Sequence, residues 1–381
     1  MVKYFRENNW EPIIFTPLGG DTPVIDNTLS IDVPESITEL NYPIWEPFDL
    51  YNKILSNKDG KKNYSGLIVE GKKGGFTAKL SMWIRGNFFI PDARKFWIKP
   101  ASKFILNYLN ENPVDAVIST GPPHSMHLVA LKIKEQLNIP WIADFRDPWT
   151  KIDFYNELRL SNWADKKHHR LEKLVLNKAD KVVCVSPSWA KDFEALGGRE
   201  IEVITNGFDP EDYREKVQTL DEKFSITHVG SMNKDRNPII LWEAIKELSS
   251  QSEEFKNSIE IQLIGQVDFS ILQSIENYEL NGFLIKIDHL PHKKAIEKLE
   301  TSQILLLPIN DTPNINGVVP GKLFEYFGAK RPILCIGKKD ADAGVIISKA
   351  KAGAVFNFKE KEQLVQQLKE WFDLYKQNKL N

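Results

Sequence analysis

The stretch that decides the fold begins Gln303-Ile304-Leu305-Leu306-Leu307-Pro308. It crosses a polar loop over 310–316 and resumes as Gly317-Val318-Val319-Pro320-Gly321-Lys322-Leu323-Phe324-Glu325-Tyr326-Phe327. It ends in Arg331-Pro332-Ile333-Leu334-Cys335-Ile336. A short, wholly apolar run between polar or proline boundaries is the pattern of a strand buried on both faces. Pro320-Gly321 suits a helix start, because proline lacks the N–H that the first turn leaves unbonded anyway. A second buried run closes the unit. Strand, helix, strand at this spacing predicts a parallel pair joined by a crossover helix.

The same alternation extends in both directions. Strands are predicted at 12–16, 115–120, 140–145, 181–186 and 202–206, and again at 225–230, 260–265, 283–287, 303–308 and 332–336. Helices are predicted at 101–110, 125–137, 161–177, 187–196, 238–249, 270–278, 293–301, 321–328 and 340–349. Five strands per half argue for two Rossmann-like α/β domains rather than one large sheet. The polar stretch 208–223 marks the boundary, giving domains 1–208 and 209–381. The last helix, 359–375, gathers Leu364, Leu368, Trp371 and Phe372 on one face and needs a surface to cover.

Composition narrows the function classes. The 381 residues are 42% hydrophobic and 27% charged, as in folded globular chains. Fifty Lys and Arg against 52 Asp and Glu leave a net charge of −2, which gives no overall pull toward nucleic acid. Cys184 and Cys335 each sit in an apolar run, as buried thiols in a reducing compartment do. No apolar run approaches the ~18 residues of a bilayer span, and the polar start has no signal-peptide core. The chain therefore reads as cytoplasmic. Residues 72–103 stand apart. Lys72, Lys73, Lys79, Arg85, Arg94, Lys95, Lys99 and Lys103 face one acid, Asp92, and alternate with Phe76, Met82, Trp83, Ile84, Phe88, Phe89, Phe96, Trp97 and Ile98. Such a segment either docks on an anionic membrane surface, making the protein peripheral on the inner face of the cell membrane, or is a helical insertion whose aromatics fill a core.

In open parallel sheets the chemistry gathers at the carboxyl ends of the strands. After the strand at 115–120 comes Gly121-Pro122-Pro123-His124-Ser125, where Gly121 permits close backbone approach. His124 would sit at a helix N-terminus, whose dipole favours a neutral imidazole. Asp144-Phe145-Arg146-Asp147-Pro148-Trp149 follows the next strand. Its three charges either lock the loop or face a polar substrate. Asn206-Gly207 is a turn or a cleft lining. In the second half Gly230-Ser231-Met232-Asn233-Lys234-Asp235-Arg236 leads from a strand into a helix, an anion-binding arrangement in which Arg236 can hold phosphate oxygens. Gly321, Lys322 and Leu323 open the helix described above, and Glu325 lies one turn on, where a carboxylate can accept two ribose hydroxyls. Neither Walker nor GxGxxG spacing occurs, and no His/Cys pattern points to a metal.

Taken together, Asp180-Lys181-Val182-Val183-Cys184-Val185-Ser186-Pro187-Ser188, Val203-Ile204-Thr205-Asn206-Gly207-Phe208-Asp209 and Gly321-Lys322-Leu323-Phe324-Glu325-Tyr326 ahead of Arg331-Pro332-Ile333-Leu334 resemble bacterial glycosyltransferases of family 4. With Ser119-Thr120-Gly121-Pro122-Pro123-His124 and Asp144-Phe145-Arg146-Asp147-Pro148-Trp149, the resemblance is to a surface-polysaccharide subgroup. It implies a GT-B fold of two facing Rossmann-like domains with a ligand cleft between them. It implies a retaining, metal-independent transfer from a nucleotide-sugar to a saccharide or lipid-linked acceptor, with no cofactor beyond the donor itself. Arg236 and Lys322 would hold the donor diphosphate and Glu325 the ribose. Gly230 and Gly265 would line the nucleotide pocket. His124, Asp144 and Arg146 would carry the acceptor-side or transferred-sugar contacts, with Gly121, Asp147, Asn206, Gly207 and Asn316 lining the cleft. The chain departs from the family pattern at Gly317, where the first glutamate of Glu-x7-Glu belongs, leaving Asn314 or Asn316 to substitute. It departs again at Ser231, where many members carry arginine. It also reads as starting late, with 3–10 as the end of the first helix and the first strand absent. A non-catalytic nucleotide-sugar-binding or assembly subunit and a sugar-nucleotide epimerase are the alternative functions.

Overall fold

The computed structural model describes residues 2–19, 33–34, 36–45, 76–213 and 219–380. The chain forms two compact units, Met1–Ile204 and Thr205–Asn381. Residues 214–218, within the polar stretch 208–223, lie outside the described residues.

The first unit opens with two short 3-10 turns, Val2–Tyr4 and Arg6–Asn8, where a helix end was expected. Strands β1 (Ile13–Leu18) and β2 (Thr38–Pro43) pair in parallel as a two-stranded sheet. Helices α1 (Phe76–Phe88) and α2 (Lys95–Glu111) follow. Then come β3 (Val117–Gly121), α3 (Ser125–Leu137), β4 (Trp141–Phe145), α4 (Asn162–Lys178), β5 (Lys181–Cys184), α5 (Pro187–Gly197) and β6 (Glu202–Val203). Strands β3-β4-β5-β6 form a parallel sheet in that order. Ser161 and Ser186 accept hydrogen bonds from the amides of Ala164 and Trp189, capping α4 and α5. Trp97 of α2 is buried, stacks on Phe15 at 5.2 Å, and donates its indole N–H to the Tyr42 carbonyl. Part of the basic aromatic segment is therefore core. Trp83, Ile84, Phe88 and Phe96 remain exposed. Lys72 and Lys73, and the side chains of Phe76 and Lys79, lie outside the described residues.

The second unit contains β7 (Phe224–Val229), α6 (Ile239–Gln251), α7 (Glu253–Ser258), β8 (Ile259–Ile264), α8 (Phe269–Asn277), β9 (Leu284–Ile287), α9 (His292–Thr301) and β10 (Ile304–Pro308). It continues with α10 (Lys322–Ala329), β11 (Ile333–Ile336), α11 (Asp342–Ala350), β12 (Gly353–Phe356) and α12 (Lys361–Lys376). The sheet is parallel throughout, ordered β12-β11-β10-β7-β8-β9. That is the doubly wound 3-2-1-4-5-6 order read from the other edge, with its reversal between β7 and β10. Strand β12 was not foreseen, because Gly353-Ala354-Val355-Phe356 is short and opens on glycine. Helix α12 covers the sheet as its apolar face required. Leu364, Leu368, Trp371 and Phe372 are all buried, and Phe372 meets Phe224 at 5.4 Å.

Candidate functional site

In the second unit the strand ends at the reversal point are crowded. Gly230 and Gly265, directly after β7 and β8, have φ of +111° and +112°, a region closed to most L side chains. A methyl at Gly265 would lie 2.7 Å from the Gly230 carbonyl oxygen, and one at Gly230 would lie 2.8 Å from Lys322 Nζ. Both glycines therefore let the strand ends and the Lys322 ammonium approach one another.

Lys322 opens α10 and reaches back to β7, where its Nζ lies 3.2 Å from His228 Nε2. His228 Nδ1 lies 3.0 Å from the Leu306 carbonyl, which can only accept, so Nδ1 carries the proton and Nε2 accepts from Lys322. Burial keeps the imidazole neutral, well below its ordinary range, and the nearby ammonium adds to that. Lys322 is pushed down to about 7, first by burial and then by repulsion from Arg236, with Glu325 opposing. Arg236 bridges the two strand-end loops. Its Nε donates to Asn310 Oδ1 at 2.6 Å and its Nη1 to the Ser231 carbonyl at 3.1 Å. Two cations held close enough to repel form a site whose charge a bound anion would relieve.

The other predicted residues divide. Glu325 is partly buried one turn along α10, and its carbonyl accepts from Tyr213 Oη at 2.7 Å. Gly321 lies beside Asn206, whose Nδ2 is 3.9 Å from the position of an added Cβ. The Leu323 side chain is core, and its amide is bonded to the Pro320 carbonyl, so that amide is not open to a ligand at this helix start. Asn316 accepts from Lys338 Nζ at 2.9 Å, Gly317 is buried, and Ser231 and Gly207 are exposed. His228 and Asn310 were missed. The available signal was a histidine inside an otherwise buried strand, where only a specific partner makes such a group tolerable.

In the first unit, β3 and β4 end side by side. Thr120 Oγ1 donates to Asp144 Oδ2 at 3.2 Å, Arg146 Nη1 is 3.9 Å from the same oxygen, and the Arg146 amide donates to the Gly121 carbonyl. Burial raises the Asp144 carboxyl, against Arg146 and Thr120. Asp147 is raised to about 6 by burial and by repulsion from Asp153. His124 precedes α3 and lies flat on Trp149, with ring centroids 4.9 Å apart and planes within 3°. Burial drives its imidazole down to about 3, with repulsion from His168 adding to that. Gly121 faces His127 and His124 with no room for a methyl. His127 Nδ1 is 2.8 Å from Ser119 Oγ.

His124 and Trp149 also line a cavity of about 340 Å³, together with Arg85, Arg94, Tyr155 and His168. Asp144, Arg146 and Asp147 are not among its lining residues. Among the described residues no three His, Cys, Asp or Glu side chains group as a metal site.

Comparison with known proteins adds to this geometry. The family model described as Glycosyltransferase Family 4 matches residues 77–212. No curated protein sequence matches the chain. Among solved structures, the N-terminal domain of Candida albicans trehalose-6-phosphate phosphatase is similar with a TM-score of 0.59 at 11% identity, over 99% of this chain and 85% of that one. Sucrose-phosphate synthase from Thermosynechococcus elongatus aligns at 0.54 and 12% identity, over 72% and 68% of the two chains. WaaG, a glycosyltransferase involved in lipopolysaccharide biosynthesis, aligns at 0.51 and 15% identity, over 74% of each. At such identities these structures speak for the fold, which is two parallel α/β sheets in each case of the GT-B type. The chain thus has a GT-B fold, and within its first unit and the start of the second, residues 77–212 are similar to the family 4 glycosyltransferases.

Proposed function

We propose that the chain moves a sugar, with retention, from a nucleotide-sugar bound by the second unit to a saccharide or lipid-linked acceptor of cell-surface polysaccharide synthesis bound by the first. The observation that carries this reading is the paired cation site of Lys322 and Arg236 at the reversal point of the second sheet. A leaving nucleoside diphosphate develops negative charge, and fixed donors already in place stabilise it without reorganising. Glu325 is assigned to the ribose hydroxyls and the two strand-end glycines to close contact with the nucleotide. His124, Asp144 and Arg146 are assigned to the acceptor or the transferred sugar. Similarity to a lipopolysaccharide glycosyltransferase and the exposed aromatics of α1 and α2 support an acceptor at a membrane surface, with the protein peripheral to it.

The test is calorimetric titration of the full chain with UDP, GDP and their sugar esters, without added metal. One nucleotide is expected to bind, and Arg236→Ala to weaken it by roughly tenfold to a hundredfold, the worth of a charge-assisted hydrogen bond. Undiminished binding in Arg236→Ala would remove this residue from the donor site. Binding without any transfer across a panel of saccharide acceptors would favour a non-catalytic binding subunit.

A further inference from the structure

The cavity in the first unit has a composition that a neutral sugar does not call for. Phe89, Ile152, Phe154 and Leu158 give it apolar walls, while Arg85 from α1 and Arg94 from the turn before α2 add two guanidinium groups. Asp92 is the only acid among its described lining residues, and both of its oxygens are committed. Oδ1 accepts from the Arg94 amide at 2.9 Å, and Oδ2 accepts from the Ser125 amide at 2.8 Å, at the start of α3. Asp92 thus holds the wall together, and burial raises its carboxyl against the amides that it accepts from. The lining histidines add none, since burial lowers both His124 and His168.

We propose that this cavity binds an anionic saccharide, a sugar ring bearing a phosphate or a carboxylate, with Arg85 and Arg94 as ligands of the anionic group and the aromatic wall against the ring. On the reading of function above, this ring is the acceptor. A volume of about 340 Å³ lies at the small end of the ~300–1,000 Å³ range of ligand pockets, which suits one ring and its substituent rather than a glycan chain. Apolar walls lower the local dielectric and strengthen each guanidinium–anion contact. Arginine suits the task because its planar fork meets phosphate and carboxylate oxygens in pairs and stays charged when desolvated. Burial does lower the Arg85 guanidinium from its ordinary value, against the pull of Asp92.

The experiment titrates the full chain with glucose 6-phosphate, glucuronate, glucose and inorganic phosphate, following heat and intrinsic tryptophan fluorescence, since Trp149 lines the cavity. At least one of the two anionic sugars is expected to bind ten times or more tighter than glucose and than inorganic phosphate. Which of them does so identifies the anionic group. Arg85→Gln and Arg94→Gln are each expected to weaken that binding by roughly tenfold to a hundredfold. Nucleotide binding by the second unit should be unchanged and serves as the control for folding. Arg85→Lys, keeping the charge but not the fork, should lose less than Arg85→Gln. Equal binding of glucose, equal binding of inorganic phosphate, or full retention in both Gln variants would each overturn the proposal. A chain that binds the anionic sugar but transfers nothing to it would leave this site standing and remove the acceptor role alone.

Discussion

Lys322 shows how much one residue's chemistry depends on its surroundings. In sequence it is a lysine at a helix start. In the structure it is half-buried beside a neutral His228, and desolvation and repulsion from Arg236 push it down to about 7. An incoming diphosphate would restore its charge, so at alkaline pH binding must take up a proton. Affinity should then fall as pH rises above 7, by up to about tenfold per unit, until the pKa of the complex is reached. Titrating the preferred nucleotide at pH 7.5 and 8.5, where its own phosphates are largely ionised, should show a several-fold weakening. Lys322→Arg, which cannot deprotonate in this range, should flatten the profile. An unchanged slope in that variant would exclude Lys322 as the titrating group. His228 carries a complementary lesson, since its identity is plain in the sequence but its tautomer follows only from the Leu306 carbonyl facing Nδ1.

At the scale of elements, strand ends and helix ends use glycine for different reasons. Gly198, after α5, has φ of +71° and open space around its Cβ position. Gly265 adds close backbone to its positive φ, with the Gly230 carbonyl 2.7 Å from where a methyl would sit. Gly198→Ala should therefore cost about 1 kcal/mol, the left-handed penalty alone. Gly265→Ala should cost about 1–3 kcal/mol more and weaken nucleotide binding, because β7 and β8 must part at their carboxyl ends. Urea unfolding of both variants separates the two terms. Equal losses would mean the strand ends yield without strain. Legibility varied in the same way. Long apolar runs such as Ile304–Pro308 were readable as strands, whereas β2, Thr-Glu-Leu-Asn-Tyr-Pro, has only two residues of the apolar alternation that marks one.

For the whole molecule, a net charge of −2 supplies no general attraction to a membrane, so any attachment must be local. Trp83, Phe88 and Phe96 are exposed, Trp83 meets Phe88 at 5.7 Å, and Lys95 Nζ lies 4.8 Å from the Phe96 ring. No helix among the described residues is long and apolar enough to cross a membrane. If this surface docks on lipid, the protein should sediment with vesicles containing phosphatidylserine, less with zwitterionic ones, and progressively less as salt rises. The combined substitution Trp83→Ser, Phe88→Ser and Phe96→Ser should abolish sedimentation while leaving nucleotide binding intact. Undiminished sedimentation of that variant would return these aromatics to an ordinary solvent-facing role.

The sequence by itself determined the alternation of strand and helix, the parallel character of the sheets, the covering helix at the end and the motifs at the strand ends. These are encoded in local periods and in the backbone limits of glycine and proline, which neighbouring residues settle among themselves. The tertiary structure alone decided that β7 lies beside β10 and that Lys322 meets His228 across 94 residues. It alone decided that Arg236 ties to Asn310 across 74, and that Arg85 and Arg94 share a cavity with His124. Such pairings arise from strand order and helix packing, which depend on burying apolar surface from distant segments at once. A local pattern states which face of an element must be covered, and the completed core determines what covers it.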